Sequence, residues 1–565
     1  MIPRAHHPHD ADWLEDQFGR LPRGWRGPVA ARYARAYRGE GRRAANDSLR
    51  DQVEAARGYL VAADDAELIE AAEQAAHEVM QGAGRWWVSD HLAWAERYAR
   101  AKGVTPPDPE RFDEAGRLAR LKCPQWWRRA LRRDVARRVE QAARGVMLVH
   151  KRAGIYSSDE VVFRRRQQKR RNLLMLREML AVNELGEFFT LEDLAALSVS
   201  NPEIRRTELM VRMRGFEEVA DGLGHAGEFI TITCPSRFHR ATEQGGRVVE
   251  NQAWDGSTPR EAHAYLNRVW ARIRAALHRR GIRPYGFRVA EPHHDGCPHW
   301  HLLLFMPADQ VTEFEAIARR YALEDSPDEP GARRYRVKFV KIDKRKGTAA
   351  GYIAKYVAKN IDGHAIGCDL YGNDAIEAAE RIDAWAACWG IRQFQQIGGP
   401  PVTVWRELRR IEQAEGAIEA ARKAADAGDW AAYVRAQGGP QAGRMDHPVR
   451  VAYVKDVDKR TGMARANRYG EEAPGRVVGV QAGGVVQVTR LHEWTIQRKP
   501  PEPKAATIIK FDPLAATRPA GRDRAGAAGA AWTGVNNCTR HQGAAGGGGD
   551  SPPGSGPPGG GNVDL

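Results

Sequence analysis

From Glu228 onward the chain alternates between short β-rich runs and amphipathic helices, and this alternation limits the folds open to it. Strands are predicted at 229–234, 285–291, 299–305 and 335–342, and helices at 258–281, 308–323 and 348–360. The order β-α-β-β-α-β matches the split βαβ arrangement of ferredoxin-like folds, followed by one more helix. In that arrangement the first and third strands lie at the centre of the sheet. The sequence therefore predicts an α+β domain whose third strand suits a buried site.

The segments on either side of this unit differ in composition. Residues 1–220 are rich in Ala, Arg, Glu and Leu and predict a helical region, while residues 221–410 hold the α+β unit. Residues 411–510 predict an accessory helix at Ile411–Ala436 and a small β-rich region within Val449–Arg498. Residues 511–565 predict a mostly disordered tail, because glycine- and proline-rich chain cannot build a core. We therefore expect four regions.

Positive charge is concentrated in one segment of the helical region. The chain has a formal net charge of +15, and residues 121–171 hold 16 Lys plus Arg against 4 acids. On a helix these arginines would cover one broad face that could line a phosphate backbone. The alternative is a solvated charged face with Trp126 and Trp127 in the core. The candidates for phosphate contact are Arg128, Arg129, Arg132 and Arg133.

Composition also excludes several classes of protein. The six cysteines form no CxxC pair, which argues against a disulfide scaffold and a zinc ribbon. The first ten residues lack the apolar core of a signal peptide, and no run of about 18 apolar residues occurs. We therefore expect a protein of a reducing cytoplasm with no membrane partner.

Two histidines on the third predicted strand form a candidate metal site. His299 and His301 are two residues apart, so both imidazoles point to one face of the strand. That geometry suits two nitrogen ligands on one divalent ion. If the hairpin turns around 295–296, Glu291 lies opposite His301 on the same face. Glu291 is then the third ligand, and His293, which shares its parity, is the alternative.

Two tyrosines on the last predicted helix are candidate nucleophiles. Tyr352 and Tyr356 are four residues apart and lie one turn apart on one helix face. Lys355 and Lys359 form a neighbouring row that could contact phosphate. A phenol has a pKa of about 10, so it needs a metal or nearby lysines to attack at neutral pH. Without the histidines, such tyrosines would more often be core or interface residues.

Together these motifs resemble the two-tyrosine HUH endonucleases, specifically the bacteriophage replication gene A protein (GpA) family. The tyrosines follow the histidines here, whereas they precede them in conjugative relaxases. The resemblance covers roughly residues 120–410, and a segment beginning at Trp532 is also family-like. Three stretches carry it: Phe229-Ile-Thr-Ile-Thr-Cys-Pro-Ser-Arg-Phe-His239, Glu291-Pro-His-His-Asp-Gly-Cys-Pro-His-Trp-His301, and Tyr352-Ile-Ala-Lys-Tyr356.

The resemblance implies a phage or prophage endonuclease that initiates rolling-circle replication in the cytoplasm of the bacterial host. Tyr352 or Tyr356 would attack origin DNA, single-stranded at the nick, giving a 5′-phosphotyrosine link and a 3′-OH primer. The second tyrosine would then support strand transfer and religation. Mg²⁺ or Mn²⁺ would be the cofactor. No Gly-Lys pair occurs, so no ATP site is expected, and unwinding would depend on a host helicase and the host replication machinery.

Three alternatives remain open at the level of the sequence. A two-tyrosine HUH transposase would share the metal ligands, the nucleophiles and their order. A non-catalytic nucleic-acid-binding protein would use exposed aromatic side chains on a ferredoxin-like sheet. A structural zinc knot would use the histidines and Cys297 of the hairpin, although donors on a single hairpin make tetrahedral closure awkward.

Overall fold

The N-terminal part of the chain is a group of helices with its own core. The structure is a computed structural model that describes residues 10–56, 63–82, 88–345, 347–363, 374–455, 457 and 461–500. Apolar side chains spaced three and four apart line the buried faces of these helices, as in Leu68, Ala72 and Val79. The helices are α1 (Ala11–Gly19), α2 (Arg23–Ala55), α3 (Asp65–Gln81), α4 (Val88–Ala101), α5 (Glu114–Leu121), α6 (Pro124–Gly145) and α7 (Asp159–Glu178).

The end of this region is not purely helical, in contrast to the prediction. A β-hairpin of β1 (Met179–Asn183) and β2 (Phe188–Thr190) follows α7 and precedes α8 (Leu191–Ala196) and α9 (Pro202–Leu223). The strand β13 (Trp494–Arg498) pairs with β1 and completes a three-stranded sheet. The hairpin was missed because its pairing partner lies more than 300 residues away in the sequence.

A five-stranded antiparallel sheet forms the centre of the molecule. Its strands follow the order β8-β3-β7-β6-β9, and the predicted succession of elements is present with two short additions, a hairpin and α12. The first and third predicted strands, β3 and β7, are both internal, as expected. The elements are β3 (His225–Ile232), β4 (Ala241–Gln244), β5 (Arg247–Glu250), α10 (Pro259–Arg279), β6 (Tyr285–Pro292), β7 (Pro298–Pro307), α11 (Val311–Ala322), α12 (Ala332–Tyr335), β8 (Val337–Lys341), α13 (Ala349–Ile361), α14 (Ala375–Trp389) and β9 (Phe394–Ile397).

Helices cover both faces of this sheet. Alternation along β7 sends Leu302 and Leu304 into one core with α10, α11 and α14, and Leu303 into a second core with α9 and α13. Trp300 packs into the first core, so His299 and His301 lie on the face covered by α13. The tyrosine helix therefore packs against the sheet face that carries the histidines.

The C-terminal part packs against α9 and the second core. The predicted single helix at Ile411–Ala436 is two helices, because Asp429 caps a new helix with a hydrogen bond from the backbone N–H of Ala432. Short strands lie within Val449–Arg498, as predicted. The elements are α15 (Val402–Leu408), α16 (Gly416–Asp426), α17 (Trp430–Ala436), β10 (Arg450–Val454), β11 (Arg476–Ala482), β12 (Val485–Val488) and β13.

Two expectations concern parts of the chain outside this description. The predicted disordered tail and the family-like segment at Trp532 both lie outside the described residues. Among the described helices, none combines the length and the apolar character that crossing a bilayer requires.

A buried glutamate on the central strand β3 makes stability depend on pH. Glu228 is fully buried, and neither carboxylate oxygen has a hydrogen-bond partner. Burial raises the pKa of Glu228 to about 7; Glu315 adds to this effect and Lys341 opposes it. At pH values between the pKa of Glu228 in the unfolded chain and its raised pKa in the folded protein, this carboxyl group is protonated in the folded state and ionised in the unfolded state. The free energy of unfolding therefore falls as pH rises through this window.

We predict that Glu228→Gln removes this pH dependence. The isosteric amide stays neutral, so the gain in stability over the parent protein should grow between pH 5 and pH 8, up to about 3 kcal/mol. Urea unfolding at several pH values measures it. Glu70→Gln, which changes an exposed glutamate on α3, is the control. An equal gain at pH 5 and pH 8 would contradict the prediction.

Candidate active site

The two histidines and the glutamate come together at the hairpin between β6 and β7. Glu291 pairs directly with His299, whereas His301 pairs with Val289. The expected pairing of Glu291 with His301 is therefore wrong. The pairing of Pro292 with Pro298 leaves five residues in the turn, centred on Asp295, and the partner of Glu291 is therefore two residues earlier on β7 than expected. All three side chains still share one face of the sheet.

The imidazoles of His299 and His301 converge on one point. Their Nε2 atoms are 2.9 Å apart. The Nδ1 of His301 lies 3.1 Å from the Thr231 hydroxyl, which leaves its Nε2 available as a ligand. Two ligand atoms that are each about 2.1 Å from one ion lie about 3 Å apart at neighbouring corners of an octahedron. The spacing therefore fits two nitrogens that share one divalent cation.

The donor set matches a metal site in protonation as well as in position. Glu291, His299 and His301 are the group of potential ligands whose donor atoms lie within 4.8 Å of one another, among the residues described. Burial lowers the pKa of His301 to about 4 and the pKa of His299 well below its ordinary value. Both imidazoles are thus neutral at pH 7, as metal ligands must be.

His293, the alternative third ligand, is a neighbour of this group but not a member of it. Its ring centroid lies 4.0 Å from that of His299. Burial also lowers its pKa, to about 3. The convergent group contains Glu291 and neither His293 nor Cys297, which favours the glutamate over His293 and does not support a zinc knot.

Side chains at the end of α13 hold the Glu291 carboxylate. Asn360 donates to one carboxylate oxygen, and the Nζ of Lys359 lies 3.3 Å from the other. The Asn360 amide also donates to the Tyr356 carbonyl, at 2.6 Å. Lys359 is only 4% exposed, so its ammonium lies inside the site and not on an outer surface. Lys355 is exposed on the same helix.

The structure brings one of the two tyrosines directly to the histidines. The ring centroid of Tyr356 lies 4.2 Å from that of His301 and 5.4 Å from that of Phe229. Tyr352, one turn earlier, has its ring 6.4 Å from that of Phe229. Burial, followed by the charge of Glu291, raises the pKa of Tyr356 to about 12. Its phenol is therefore protonated at neutral pH.

A carboxylate from another helix fixes the start of α13. The two oxygens of Glu217 on α9 accept hydrogen bonds from the backbone N–H groups of Ala349 (2.6 Å) and Ala350 (3.0 Å). The Thr348 hydroxyl accepts a third, from Gly351 at 3.0 Å. These bonds satisfy N–H groups that a helix leaves unpaired, and a negative charge there complements the helix dipole. No sequence pattern near the tyrosines indicated a role for Glu217. A role for Asn360 in the site could have been predicted, because it lies four residues after Tyr356.

The hairpin turn is held from outside by the N-terminal helices and α14. Arg144 on α6 donates through Nε to the Asp295 carbonyl at 3.0 Å, and the Trp385 indole donates to the Gly296 carbonyl at 2.8 Å. The Asp295 carboxylate accepts from the backbone N–H groups of Arg240 and Cys297. These contacts define the turn, and therefore the register, of the histidine strand.

The four candidate arginines of α6 lie on a helix, as predicted, but two of them are already paired with carboxylates. Arg132 makes a two-point contact with Asp65, at 2.7 and 2.6 Å. Arg133 binds Asp134 in the same way, at 2.7 and 3.0 Å. Arg129 donates to the Tyr469 hydroxyl, and Arg128 is partly buried. Their charges are therefore less available to phosphate than the sequence indicated.

Comparison with known families was made for the whole chain. The family model described as Bacteriophage replication gene A protein (GPA) matches residues 61–364, more than half of the 565 residues. This chain belongs to that family. The matched span contains Glu291, both histidines and both tyrosines of the candidate site.

Individual relatives of the replication gene A family agree with this assignment. The chain is 42% identical over 460 residues to the Replication gene A protein of Escherichia phage 186, covering 77% of this chain and 62% of that protein. It is 37% identical over 467 residues to the Replication protein of Haemophilus phage HP1 (strain HP1c1), covering 79% and 58%. It is 38% identical over 356 residues to a Probable replication endonuclease from a prophage-like region of Salmonella paratyphi A (strain ATCC 9150 / SARB42), covering 60% and 44%.

The matches span about half to three fifths of the length of these relatives. No solved structure matches the chain.

We predict that Mn²⁺ binding requires His299, His301 and Glu291 but not His293. His299→Ala, His301→Ala and Glu291→Gln each remove a donor and should weaken Mn²⁺ binding more than about tenfold. Electron paramagnetic resonance of free Mn²⁺ measures the affinity. The matched control is His293→Ala, which should bind as the parent protein does. If the His293 variant loses the ion and the Glu291 variant keeps it, the third ligand is misassigned.

We also predict that Glu217→Ala loosens the start of the tyrosine helix. Two buried N–H groups would lose their acceptor, at a cost of about 1–3 kcal/mol. Hydrogen exchange of the amides of residues 349–353 should accelerate accordingly. Glu218→Ala is the control, because Glu218 pairs with Arg214 on the exposed side of the same helix. Equal exchange in the two variants would show that Glu217 does not fix this helix.

Proposed function

We propose that this chain is a replication initiation endonuclease that nicks DNA by tyrosine attack at a metal-bound phosphate. The observation that carries the proposal is the contact between Tyr356 and His301, whose ring centroids are 4.2 Å apart. It brings a candidate nucleophile against a candidate metal ligand from a separate element of the fold. Membership of the replication gene A family supports the same activity, since one relative is named as a probable replication endonuclease.

The arrangement of the sheet supports an HUH nuclease domain. The four strands predicted from the sequence are β3, β6, β7 and β8 in chain order. In the sheet they lie in the order β8-β3-β7-β6, that is fourth, first, third, second, and every neighbouring pair is antiparallel. This is the order expected of a ferredoxin-like unit, to which β9 adds an edge strand. We propose that residues 225–397 form this nuclease domain and that α13 presents the nucleophiles to its central strands.

The residues that would hold the divalent ion are His299, His301 and Glu291. Mixed nitrogen and oxygen donors suit Mn²⁺ as well as Mg²⁺. When bound, the ion would polarise the scissile phosphate and stabilise the charge that develops on its oxygens. Asn360 and Lys359 would orient the Glu291 carboxylate and balance its charge.

The cleavage step is a phosphoryl transfer to a tyrosine. The phenolic oxygen forms a bond to phosphorus while the bond from phosphorus to the 3′-oxygen breaks. The phenolic proton leaves and the 3′-oxygen gains one, so the products are a 5′-phosphotyrosine and a 3′-OH. Because Tyr356 is protonated at neutral pH, the positive charge around the site must assist the loss of its proton.

The second tyrosine allows the reverse reaction to close a circle. Tyr352 lies four residues before Tyr356 on α13, a rise of about 6 Å, so both can serve the same site in turn. The phosphotyrosine keeps the energy of the broken bond, and joining therefore needs no nucleotide. In this proposal the substrate is origin DNA, single-stranded at the nick, in the host cytoplasm. A host helicase would supply unwinding.

We predict that replacing both tyrosines with phenylalanine abolishes the covalent protein–DNA adduct. Tyr352→Phe/Tyr356→Phe removes only two hydroxyls, so DNA binding and Mn²⁺ binding should stay within about twofold of the parent. The assay incubates the protein with a single-stranded origin oligonucleotide and Mn²⁺, followed by denaturing electrophoresis and peptide mass spectrometry. Tyr335→Phe, at an exposed tyrosine outside the site, is the control. An adduct in the double variant would reject the proposed nucleophiles.

A further inference from the structure

A cleft rich in arginine lies on α6 about one helical turn beyond Arg132 and Arg133. The cleft has a volume of about 460 Å³ and opens between α6, the start of α10 and the end of α14. Three arginines line it, namely Arg137, Arg138 and Arg260, together with Trp389. The sequence pattern thus indicated the correct helix, but Arg132 and Arg133 on the preceding turn are paired with carboxylates.

Two of the three guanidinium groups of this cleft, those of Arg137 and Arg260, donate to backbone carbonyls. Arg137 donates to the Cys388 carbonyl at 2.9 Å, and Arg260 donates to the Trp389 carbonyl at 3.2 Å. One nitrogen of each guanidinium lies 3.2 Å from the position that a Cβ would take at Gly390, so these two nitrogens are at most 6.4 Å apart. Carbonyls fix the two groups without cancelling their charge. Two guanidinium groups at this spacing can share one phosphate.

The nearby carboxylates offset only part of the positive charge of the cleft. Asp134 is 4.0 Å from Arg137 but binds Arg133 at 2.7 Å. Glu261 is occupied in the capping box of α10, where it accepts from the Thr258 backbone N–H at 2.8 Å. Burial, followed by the charge of Arg260, lowers the pKa of Arg137. The cleft is lined by three arginines and one carboxylate, Glu261, so it keeps an excess of positive charge.

The cleft is connected to the histidine hairpin by the helix that forms its floor. Arg144, which donates to the Asp295 carbonyl in the hairpin turn, lies seven residues after Arg137 on α6. Seven residues of α-helix rise about 10 Å. The helices α10 and α14 that border the cleft cover the sheet face opposite the one that carries His299 and His301. The cleft therefore lies about two turns of α6 from the hairpin turn, on the other side of the sheet from the histidines.

We propose that this arginine cleft binds the phosphodiester backbone of the single-stranded DNA substrate, outside the candidate active site. The inference rests on the proposed function, because it assigns a part of the DNA path to a nicking enzyme. Guanidinium groups match the oxygens of a phosphate, and contact with the backbone tolerates any base sequence. The cleft would therefore hold the strand in place while the candidate site residues act on it.

The test is the salt dependence of DNA binding by the full chain. The binding assay uses fluorescence anisotropy with a single-stranded 20-mer, in the Tyr352→Phe/Tyr356→Phe background and with chelator present. Each phosphate contact contributes about 0.7 to the slope of log affinity against log salt for single strands. Arg137→Gln/Arg260→Gln, which removes both guanidinium groups that would share one phosphate, should therefore reduce the slope by about 0.7. Should the pair fail the thermal-unfolding check, Arg260→Gln alone should also reduce the slope.

The matched control is Arg274→Gln/Arg279→Gln, which removes the same charge from exposed positions farther along α10. A slope unchanged in the cleft variant, or reduced equally in the control, overturns the proposal. So does a reduction that appears only with duplex DNA. The assay needs neither cleavage nor metal. A slope reduced by the cleft substitutions, with no adduct formed by the protein that keeps both tyrosines, would support the cleft and reject the nicking function. An adduct formed by the protein that keeps both tyrosines, with an unchanged slope in the cleft variant, would reject the cleft alone.

Discussion

The site depends on two imidazole nitrogens that lie 2.9 Å apart on neighbouring positions of one strand face. Two neutral imidazoles at that distance need a proton or a cation between them, since their lone pairs otherwise repel. The register of the hairpin sets this distance, because a shift of one residue would turn both rings to the other face. The contacts of Arg144 and Trp385 with the turn therefore bear directly on the chemistry of the site.

The tyrosine helix is positioned by interactions at both of its ends. Glu217 binds its first N–H groups, and Asn360 and Lys359 in its last turn bind the Glu291 carboxylate. The same helix thus carries the candidate nucleophiles and orients one candidate ligand. The contact with Glu291 explains why Lys359 is buried, whereas its position beside the tyrosines on the helix had predicted contact with phosphate. A buried ammonium requires a partner, and Glu291 provides it.

The local parts of the fold and site followed from the sequence. The alternation of strands and helices, the capping box at Thr258 and the shared face of His299 and His301 depend on residues close together in the chain. The hairpin β1–β2 could not be predicted, because its partner strand lies at the far end of the chain. The pairing of Glu291 with His299 was also missed, because the length of a turn depends on what packs around it.

The sequence by itself determined which side chains are the candidates for the chemistry: the paired histidines, the acidic neighbour and the two tyrosines. Periodicities of two and of 3.6 residues fix which of these share a face. Only the tertiary structure decided which arginines are paired with carboxylates, which tyrosine contacts His301 and which distant glutamate caps the helix. Those outcomes depend on contacts between elements far apart in the chain, and a periodic pattern carries no information about such contacts.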